Sequence, residues 1–437
     1  MENNLEYRGG ENFDLREMLL KGKNLKLNDK VGLFENFIDD LSQHNIMLNR
    51  RCITTAADRE VIIYDRFSGK EKKLLMFGSN NYLGLANHPY VKDKALDALK
   101  KFGAGIGGPP LLNGYTILHR ELEERLAALK GAEDALIFSS GYSANVGLVS
   151  GLTNPNDIII YDAFSHASFC DGIKMSNVKS FRFPHNNLNM FKLRLDQNTN
   201  TSNDVYVGVE GVYSMDGDTA PLDKIVPLCK SKGAILLVDD AHGTGVLGKH
   251  GKGTAEHYGV EGQVDITLGT FSKTFAATGA FVAASKPIIN YLRFFARSYM
   301  FSASLPPVSI AIVLAGLDVL EKEPQLLDNL RNNIKYAEDS FHKIGIDLNL
   351  QTPIIPLKVP VGMDIRKAAL KFHQYGIFVN SIEYPAVPIS QQRFRVSLMA
   401  THKKEDIDKL VEVTNEIWTE FYKNENQTAA KYQFEAA

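Results

Sequence analysis

Short apolar runs alternate with helical stretches between about residues 90 and 305, and this alternation constrains the fold more than any other feature of the chain. Strands separated by helices pair as neighbours in a mainly parallel sheet that carries helices on both faces. In such α/β sheets, ligands bind at the carboxyl ends of the strands, so the side chains there are the first candidates for function. The candidate strands are Ala135–Phe138, Ile158–Tyr161, Val205–Val209, Ile235–Val238, Ile266–Leu268 and Phe281–Ala284.

A lysine follows one of these strands almost directly. The stretch Asp265–Lys273 begins with an acid, continues as an apolar strand and ends in a Gly-Thr turn and a Ser-Lys pair. Desolvation lowers the pKa of a lysine and makes its amine a nucleophile near neutral pH. Taken alone, Lys273 is better explained as a side chain that extends from a strand end to solvent.

Two other strand ends supply partners for such a lysine. Asp239 ends the strand Ile235–Val238, while Ser139–Asn145 follows an earlier strand and opens a helix. The N-terminus of a helix favours an anion because its amides and its dipole face it. An acid, a reactive lysine and an anion cradle together suit pyridoxal phosphate, whose aldehyde forms a Schiff base with lysine and whose ring nitrogen pairs with an acid. Individually, the acid could equally cap a turn and the cradle could be an ordinary capped helix.

Seven segments spread over about residues 75 to 400 extend this pattern. Together they resemble the α-oxoamine synthases, a family of fold-type I pyridoxal phosphate enzymes, and most closely the serine palmitoyltransferase branch of that family. The resemblance implies an α/β transferase with a mainly parallel central sheet and a smaller C-terminal α/β domain. The segments are Asn80–Leu85, Ser139–Asn145, Asp162–Ser168, Glu210–Asp218, Val238–Gly243, Gly269–Lys273 and Phe301–Pro307.

The resemblance implies roles for four residues around the cofactor ring. Lys273 holds the cofactor and then removes the α-proton of the substrate. Asp239 pairs with the pyridine nitrogen. His166 stacks on the ring and helps to orient the substrate carboxylate, and His242 lies near the ring oxygen and the reacting carbonyl. Without the resemblance, a single histidine after a strand is more often structural.

Five residues are expected at the cofactor phosphate. The backbone amides of Gly141 and Tyr142 and the hydroxyls of Thr270 and Ser272 bind it within one subunit. By resemblance, Ser302 reaches the phosphate in the other subunit, which implies a homodimer.

The remaining candidates lie toward the substrate. Ser214 belongs to the expected cofactor-binding set, and Arg395 matches the family arginine associated with the substrate carboxylate, for which a guanidinium fork is suited. Arg393 is the alternative if the strand phase is shifted by two residues. Asn81 is a further candidate for substrate binding, and no metal ligand is expected in the site.

The chain departs from the family pattern at two places. Ala276 and Ala280 stand where the family usually has glycine, and their methyl groups are expected to stiffen the segment after Lys273 without changing its chemistry. Pro109 and Pro110 stand where relatives often have Ser-Arg. Two prolines remove two backbone donors, so this loop, expected on the substrate side of the cofactor, cannot bind ligand in the usual way.

The resemblance predicts a decarboxylative condensation of a small amino acid with a long-chain fatty acyl-CoA, giving a 3-oxo base for sphingolipid or sulfonolipid synthesis. Serine is the first candidate and its sulfonate analogue cysteate the second, with donors expected from Asn81, Asn113, Tyr115 and Arg393. The alternatives are an 8-amino-7-oxononanoate synthase or glycine C-acetyltransferase type of reaction, an ordinary aminotransferase, and a non-catalytic partner subunit. Lys273 argues against the last, because such subunits lack the lysine.

Composition narrows the partners and the compartment. The net charge of −2 gives no basic excess for nucleic-acid binding, and three scattered cysteines indicate a reducing compartment. Neither a secretory signal nor an apolar run of membrane-spanning length is evident, which predicts a cytoplasmic protein, at most peripheral at the inner membrane face.

Three domains are expected along the chain. Residues 1–75 form an N-terminal arm over 1–28, a helix and a hairpin around Phe67–Lys70, residues 76–307 form the large cofactor-binding domain, and residues 308–437 form a bridging helix and a small domain. The N-terminal helix has an apolar face formed by Leu33, Phe34, Phe37, Ile38 and Leu41. We expect this face to dock on a partner subunit rather than on a membrane, because the polar face of the helix is acidic.

Overall fold

A computed structural model describes residues 22–199, 203–384 and 386–435, together with Leu15 and Met18, so the predicted arm over 1–28 lies mostly outside the described residues. The helices are α1 Leu27–Gln43, α2 Pro89–Phe102, α3 Ile117–Lys130, α4 Gly141–Leu152, α5 Ala167–Ser176, α6 Leu188–Asn198, α7 Leu222–Lys232, α8 Thr254–His257, α9 Lys286–Phe295, α10 Arg297–Met300, α11 Pro307–Lys322, α12 Gln325–Lys343, α13 Ile365–Gln374 and α14 Lys404–Glu435. The strands are β1 Cys52–Ile53, β2 Glu60–Asp65, β3 Lys70–Met76, β4 Asp134–Phe138, β5 Ile158–Asp162, β6 Lys179–Phe183, β7 Val205–Glu210, β8 Ile235–Asp239, β9 Ile266–Thr270, β10 Ala280–Ala284, β11 Ile354–Lys358, β12 Ile377–Phe378, β13 Asn380–Ile382 and β14 Arg393–Ser397.

The central sheet has seven strands in the order β4-β10-β9-β8-β7-β5-β6. All six predicted strands are present, and all pairs are parallel except those of β10, which runs antiparallel to both of its neighbours. The prediction of a mainly parallel α/β fold is confirmed. The seventh strand, β6, was missed because it lies at the sheet edge and buries only Phe183, so it leaves no apolar run.

Helices cover both faces of this sheet. Leu136 and Phe138 of β4 belong to one apolar cluster together with α4, whereas Ala135 and Ile137 pack on the opposite side with α3 and α11. Because both faces are buried, the strand reads as a continuous apolar run rather than an alternating one. The packing of both faces fixes where each strand ends in the sheet. It therefore also fixes the position of the residues that follow each strand.

Two smaller sheets complete the molecule. β2 and β3 form the predicted hairpin, with Gly69 at φ +66° in its turn, and β12 pairs in parallel with β3. The N-terminal hairpin therefore shares a sheet with the C-terminal part of the chain. The third sheet, β11-β14-β13, places Arg393 and Arg395 on its middle strand.

The apolar face of helix α1 is covered only in part by the chain itself. Phe37 and Leu41 pack with Ile46 and with Leu370 of α13, whereas Val31 and Phe34 are 50% and 41% exposed. Docking of this helix on a partner subunit therefore stays a prediction. Among the described residues, no helix has both the length and the apolar character that a membrane crossing requires.

Candidate active site

Three adjacent strands of the central sheet end in polar residues that gather at one edge. Asp239 is the last residue of β8 and pairs in register with Glu210, the last residue of β7, while Lys273 follows the end of β9 by three residues. Burial and the nearby Arg395 lower the pKa of Lys273, and the two carboxyl groups act in the opposite direction. None of the described residues accepts a hydrogen bond from its Nζ, so the amine is available to a ligand.

A chain of hydrogen bonds leads away from Asp239. The Asn145 amide donates to Asp239 Oδ2 at 2.7 Å and to Ser168 Oγ at 3.0 Å, and Ala241 N donates to the other carboxylate oxygen. Burial raises the pKa of Asp239, while these donors favour its ionised form. A protonated ring nitrogen would supply the opposite charge that such a carboxylate lacks.

The same series of hydrogen bonds fixes the tautomer of His166. Its Nδ1 accepts from Ser168 Oγ at 2.7 Å and from Ser168 N at 3.3 Å, so the ring proton belongs on Nε2. His166 caps α5 and remains exposed. An exposed ring held in one orientation is suited to stack on a planar cofactor.

The N-terminus of α4 forms the anion cradle. Ser140 caps the helix by accepting from Ser143 N, which leaves the amides of Gly141 and Tyr142 without an acceptor among the described residues. A Cβ on Gly141 would lie 3.4 Å from Thr270 Oγ1, which brings the cradle next to the end of β9. Two free amides at a helix N-terminus fit a phosphate.

The hydroxyls predicted for the phosphate lie beside this cradle. Thr270 Oγ1 donates to Gly279 O at 2.9 Å and lies 3.0 Å from Ser272 Oγ. Thr270 is buried and Ser272 is exposed. Thr270 therefore holds the turn in shape, and Ser272 is the freer of the two donors.

Arg395 is a buried cation without a carboxylate partner among the described residues. Its Nε donates to Ser214 O at 2.5 Å, and Nη1 donates to Asn80 Oδ1 at 2.7 Å and to Ser397 Oγ at 3.0 Å. Ser214 therefore holds the arginine through its carbonyl, and a contact of its hydroxyl with the cofactor stays a prediction. A buried guanidinium held by neutral acceptors is prepared for an anionic ligand.

The neighbouring Arg393 is paired within the protein. It forms an ion pair with Asp216 and donates to Met215 O, so its charge is already neutralised. These partners favour Arg395 over Arg393 for the substrate carboxylate. The Oδ1 of Asn81 accepts from Ala86 N, while its buried Nδ2 has no partner in the described chain and is left for a ligand.

Tyr82 links the arginine to His242. Its hydroxyl lies 2.7 Å from His242 Nδ1 and accepts from Arg395 Nη2 at 3.4 Å. Burial and the nearby cations Lys273 and Arg395 hold the pKa of His242 well below its usual range, so the ring is neutral. The contact of its Nδ1 with the Tyr82 hydroxyl fixes the orientation of the ring.

Ser302 lies in the wall of a surface cleft and also lines a small cavity together with Ser139, the residue before the helix cap Ser140. The cleft has a volume of 430 Å³ and is lined by residues 107–109, 111–112 and 300–303. The proline loop closes on this segment, since Ser304 N donates to Gly108 O. Leu112 and Phe301 in this cleft are 81% and 71% exposed. The contact of Ser302 with the phosphate of the other subunit stays a prediction.

The alanine substitutions after the lysine have unequal consequences. Ala276 adopts φ +50°, a left-handed conformation that disfavours any residue with a Cβ. Ala280 opens β10, is fully buried and pairs with Thr270 and Phe138. The first methyl group introduces strain, which the sequence argument did not anticipate, and the second fills the core.

Four site residues were not assigned from sequence, although all four stand in the quoted segments. These residues act through partners far along the chain, and their types alone gave no signal. Asn145 could have been found because it lies one helical turn after Gly141, on the face of α4 that looks toward the strand ends. The residues are Asn80, Tyr82, Asn145 and Glu210.

The residues present fit pyridoxal phosphate. The backbone amides of Gly141 and Tyr142 are free to bind a phosphate. In the described chain, Asp239 is a carboxylate without a paired cation, and Lys273 is an amine without a hydrogen-bond acceptor. When bound, the cofactor would withdraw electrons from a substrate carbon attached to it.

Comparison with known proteins agrees with this geometry. Residues 72–413 match the family model Aminotransferase class I and II. The chain is 41% identical over 345 residues to a serine palmitoyltransferase of Bacteriovorax stolpii, covering 79% of this chain and 82% of that protein. It is 43% identical over 343 residues to an 8-amino-7-oxononanoate synthase of Geotalea daltonii, covering 78% and 87%.

Solved structures give the same result. A Sphingomonas wittichii serine palmitoyltransferase superposes with a TM-score of 0.84 at 32% identity, covering 90% of this chain and 98% of that one. A serine palmitoyltransferase from S. paucimobilis with a bound PLP–myriocin aldimine superposes with a TM-score of 0.83 at 31% identity and the same coverage.

Proposed function

The chain belongs to the aminotransferase class I and II family, within it to the pyridoxal phosphate-dependent α-oxoamine synthases, and we propose that it condenses serine with a long-chain fatty acyl-CoA. The products of this reaction are a 3-oxo long-chain base, CO2 and free coenzyme A. One observation carries the proposal: the buried Arg395 has no carboxylate partner in the described chain and lies close enough to Lys273 to lower the pKa of that lysine. An amino acid whose carboxylate binds Arg395 therefore presents its α-carbon near the Lys273 amine.

The residues of the chain divide the chemical work. Bound pyridoxal phosphate supplies the electron sink that stabilises charge at the α-carbon. Lys273 Nζ takes the α-proton, and its lowered pKa keeps a larger fraction of the amine unprotonated. His242 stays neutral, and its Nε2–H tautomer is a donor for the carbonyl oxygen of the acyl thioester.

Serine is favoured over cysteate by the state of the predicted sulfonate donors. Arg393 is paired with Asp216, the Tyr115 hydroxyl donates to Glu123 at 2.6 Å, and the Asn113 amide donates to Ile106 O at 3.2 Å. A sulfonate carries a full negative charge and needs several donors, and these three already have partners. Of the four predicted donors, Asn81 alone keeps a buried Nδ2 without a partner among the described residues, and a single neutral donor gives the cysteate and sulfonolipid proposal little support.

A second candidate is a reaction of the 8-amino-7-oxononanoate synthase type. The identity of 43% to such an enzyme, against 41% to a serine palmitoyltransferase, favours keeping it. The two candidates share the α-oxoamine synthase chemistry and differ in the amino acid and the acyl group.

We also propose that the protein is a homodimer and acts in the cytoplasm, with any membrane contact peripheral. The exposed apolar residues Leu112 and Phe301 border the cleft that contains Ser302. Covering this cleft with a second copy would bury them and bring Ser302 toward the site of the other subunit.

The test is the rate of coenzyme A release by the purified protein at matched concentrations of serine, alanine, glycine and cysteate, each with acyl-CoA donors of several chain lengths. We expect serine with a long-chain donor to give the highest kcat/KM. A preference for alanine would move the protein to the second candidate function, and release only in the presence of cysteate would restore the sulfonolipid proposal.

A further inference from the structure

Glu210 is a buried carboxyl group to which the reaction so far gives no task. It is 5% exposed, and its buried Oε1 has no hydrogen-bond partner among the described residues. A buried acceptor or donor without a partner costs free energy, so such an atom usually serves a ligand. The backbone at the end of this strand is closely packed, because a Cβ on the next residue, Gly211, would lie 2.4 Å from both Asp240 Oδ1 and Thr254 Oγ1.

The order of the strands defines which side of the cofactor Glu210 faces. β9, β8 and β7 are consecutive in the sheet and end at Thr270, Asp239 and Glu210. The phosphate cradle lies on the β9 side, because Gly141 adjoins Thr270. Glu210 lies on the other side of Asp239, at a strand spacing of about 4.8 Å.

The substituents of pyridoxal phosphate follow the same order, with the phosphate arm and the ring oxygen on opposite edges of the ring. Its ring nitrogen lies opposite the carbon that bears the aldehyde, its phosphate arm leaves one edge of the ring, and its ring oxygen leaves the other. With the nitrogen at Asp239 and the phosphate on the side of Thr270, the ring oxygen falls on the side of Glu210.

We propose that Glu210 is a cofactor-binding residue that donates a hydrogen bond from its protonated carboxyl group to the ring oxygen of pyridoxal phosphate. This role of Glu210 rests on the cofactor assignment. It goes beyond the proposed reaction, because a donor at the ring oxygen sets the basicity of the bound cofactor whichever amino acid is used.

The surroundings of the carboxyl group keep it protonated. Burial raises its pKa well above the ordinary range, and the neighbouring carboxylate of Asp239 adds to the effect. The groups that oppose it are backbone amides of His166 and Ser214. A neutral acid can donate, whereas an ionised one would repel an anionic ring oxygen.

The test uses Glu210→Gln and Glu210→Ala, with the cofactor-loaded proteins titrated from acid to alkaline pH while the visible absorption band is recorded. Loss of a neutral donor leaves the ring oxygen more basic, so we expect Glu210→Ala to raise the midpoint of the titration by about one pH unit. Glutamine keeps the shape and an N–H donor, so Glu210→Gln should stay within about 0.3 pH units of the wild type. Titration with free pyridoxal phosphate should show weaker binding for alanine and nearly wild-type binding for glutamine.

An ionised Glu210 gives the opposite sign. Removing a negative charge beside the protonated cofactor linkage would lower the midpoint in both variants. A midpoint that falls in either variant, that rises equally in both, or that alanine leaves unchanged overturns the proposal. The wild-type band itself tests the cofactor assignment, so failure of that assignment is separate from failure of the role of Glu210.

Discussion

The site contains three pairs of residues of the same type, and within each pair one member is neutralised by the protein while the other is left for a ligand. We call the first members the supporting set and the second members the ligand-facing set. The pairs are Lys130 and Lys273, Asp240 and Asp239, and Arg393 and Arg395.

The supporting set is fully paired. Lys130 Nζ donates to Asp240 Oδ2 at 2.7 Å and to Thr244 Oγ1 at 2.9 Å, and the two charged side chains are 5% and 3% exposed. Asp240 also accepts from Thr254 Oγ1 at 2.6 Å. This buried ion pair fixes the loop after β8, and with it Asp239 on one side and His242 on the other.

The task of a charged side chain is therefore decided by the partner available to it and not by its residue type. A buried charge with a partner stabilises the fold, whereas a buried charge without one lowers stability until a ligand binds. Substitutions in the ligand-facing set should therefore reduce activity and leave the apoprotein stable, and those in the supporting set should do the reverse.

The largest contrast is expected between the two lysines. Lys273→Ala should lower turnover by on the order of 10³-fold or more and abolish the visible band, because the nucleophile and the base are lost. Its free energy of unfolding without cofactor should not fall. Lys130→Met should instead lower that free energy by about 3–5 kcal/mol, because Asp240 is left as an unpaired buried charge. Urea unfolding and coenzyme A release measure the two effects, and equal losses of stability would contradict the contrast.

The aspartates should behave in the same way with smaller effects. Asp239→Asn should reduce turnover on the order of 10²–10³-fold, because an amide cannot hold a protonated ring nitrogen by charge. Asp240→Asn should reduce stability by about 3 kcal/mol through loss of the pair with Lys130. Full turnover in Asp239→Asn would break the assignment of Asp239 to the cofactor.

The arginines test substrate binding. Arg395→Lys should raise KM for the amino acid about 10–100-fold, because lysine cannot reproduce a bidentate fork to a carboxylate. Arg393→Lys keeps the charge opposite Asp216, so KM should stay within about twofold of the wild type while stability falls slightly. If the two variants change KM equally, the distinction drawn from their partners is wrong.

The smallest effects concern the two alanines after Lys273. Ala276→Gly should stabilise the protein by about 0.5–1 kcal/mol, because glycine adopts φ +50° without strain. Ala280→Gly should destabilise it by about 1 kcal/mol, because a buried strand position loses its methyl group. Thermal or urea unfolding of the two variants should give opposite signs.

Sequence predicted the central sheet because buried parallel strands are continuous apolar runs, and it predicted the cofactor because Asp239 and Lys273 follow such runs. The sequence did not reveal the side chains with which the site residues form ion pairs and hydrogen bonds. The ion pair of Arg393 with Asp216 and the contact of Tyr82 with His242 join residues 177 and 160 positions apart, and no local pattern encodes them.

The helix α1 illustrates the same limit. Its apolar face was identified by the spacing of Phe37 and Leu41, but this spacing did not indicate that Leu370 of the same chain packs against part of the face. Periodicity reveals that a face is buried and carries no information on which surface buries it.

The assignment of Lys273 as the lysine that holds the cofactor is tested most directly by reduction of the cofactor-loaded protein with borohydride. Peptide mass spectrometry then locates the modified residue. We predict a single pyridoxyl-phosphate adduct on Lys273 and none in Lys273→Ala. An adduct on Lys130, or on any other lysine in the wild-type protein at comparable yield, would contradict the assignment of Lys273 and with it the division between the ligand-facing and supporting sets.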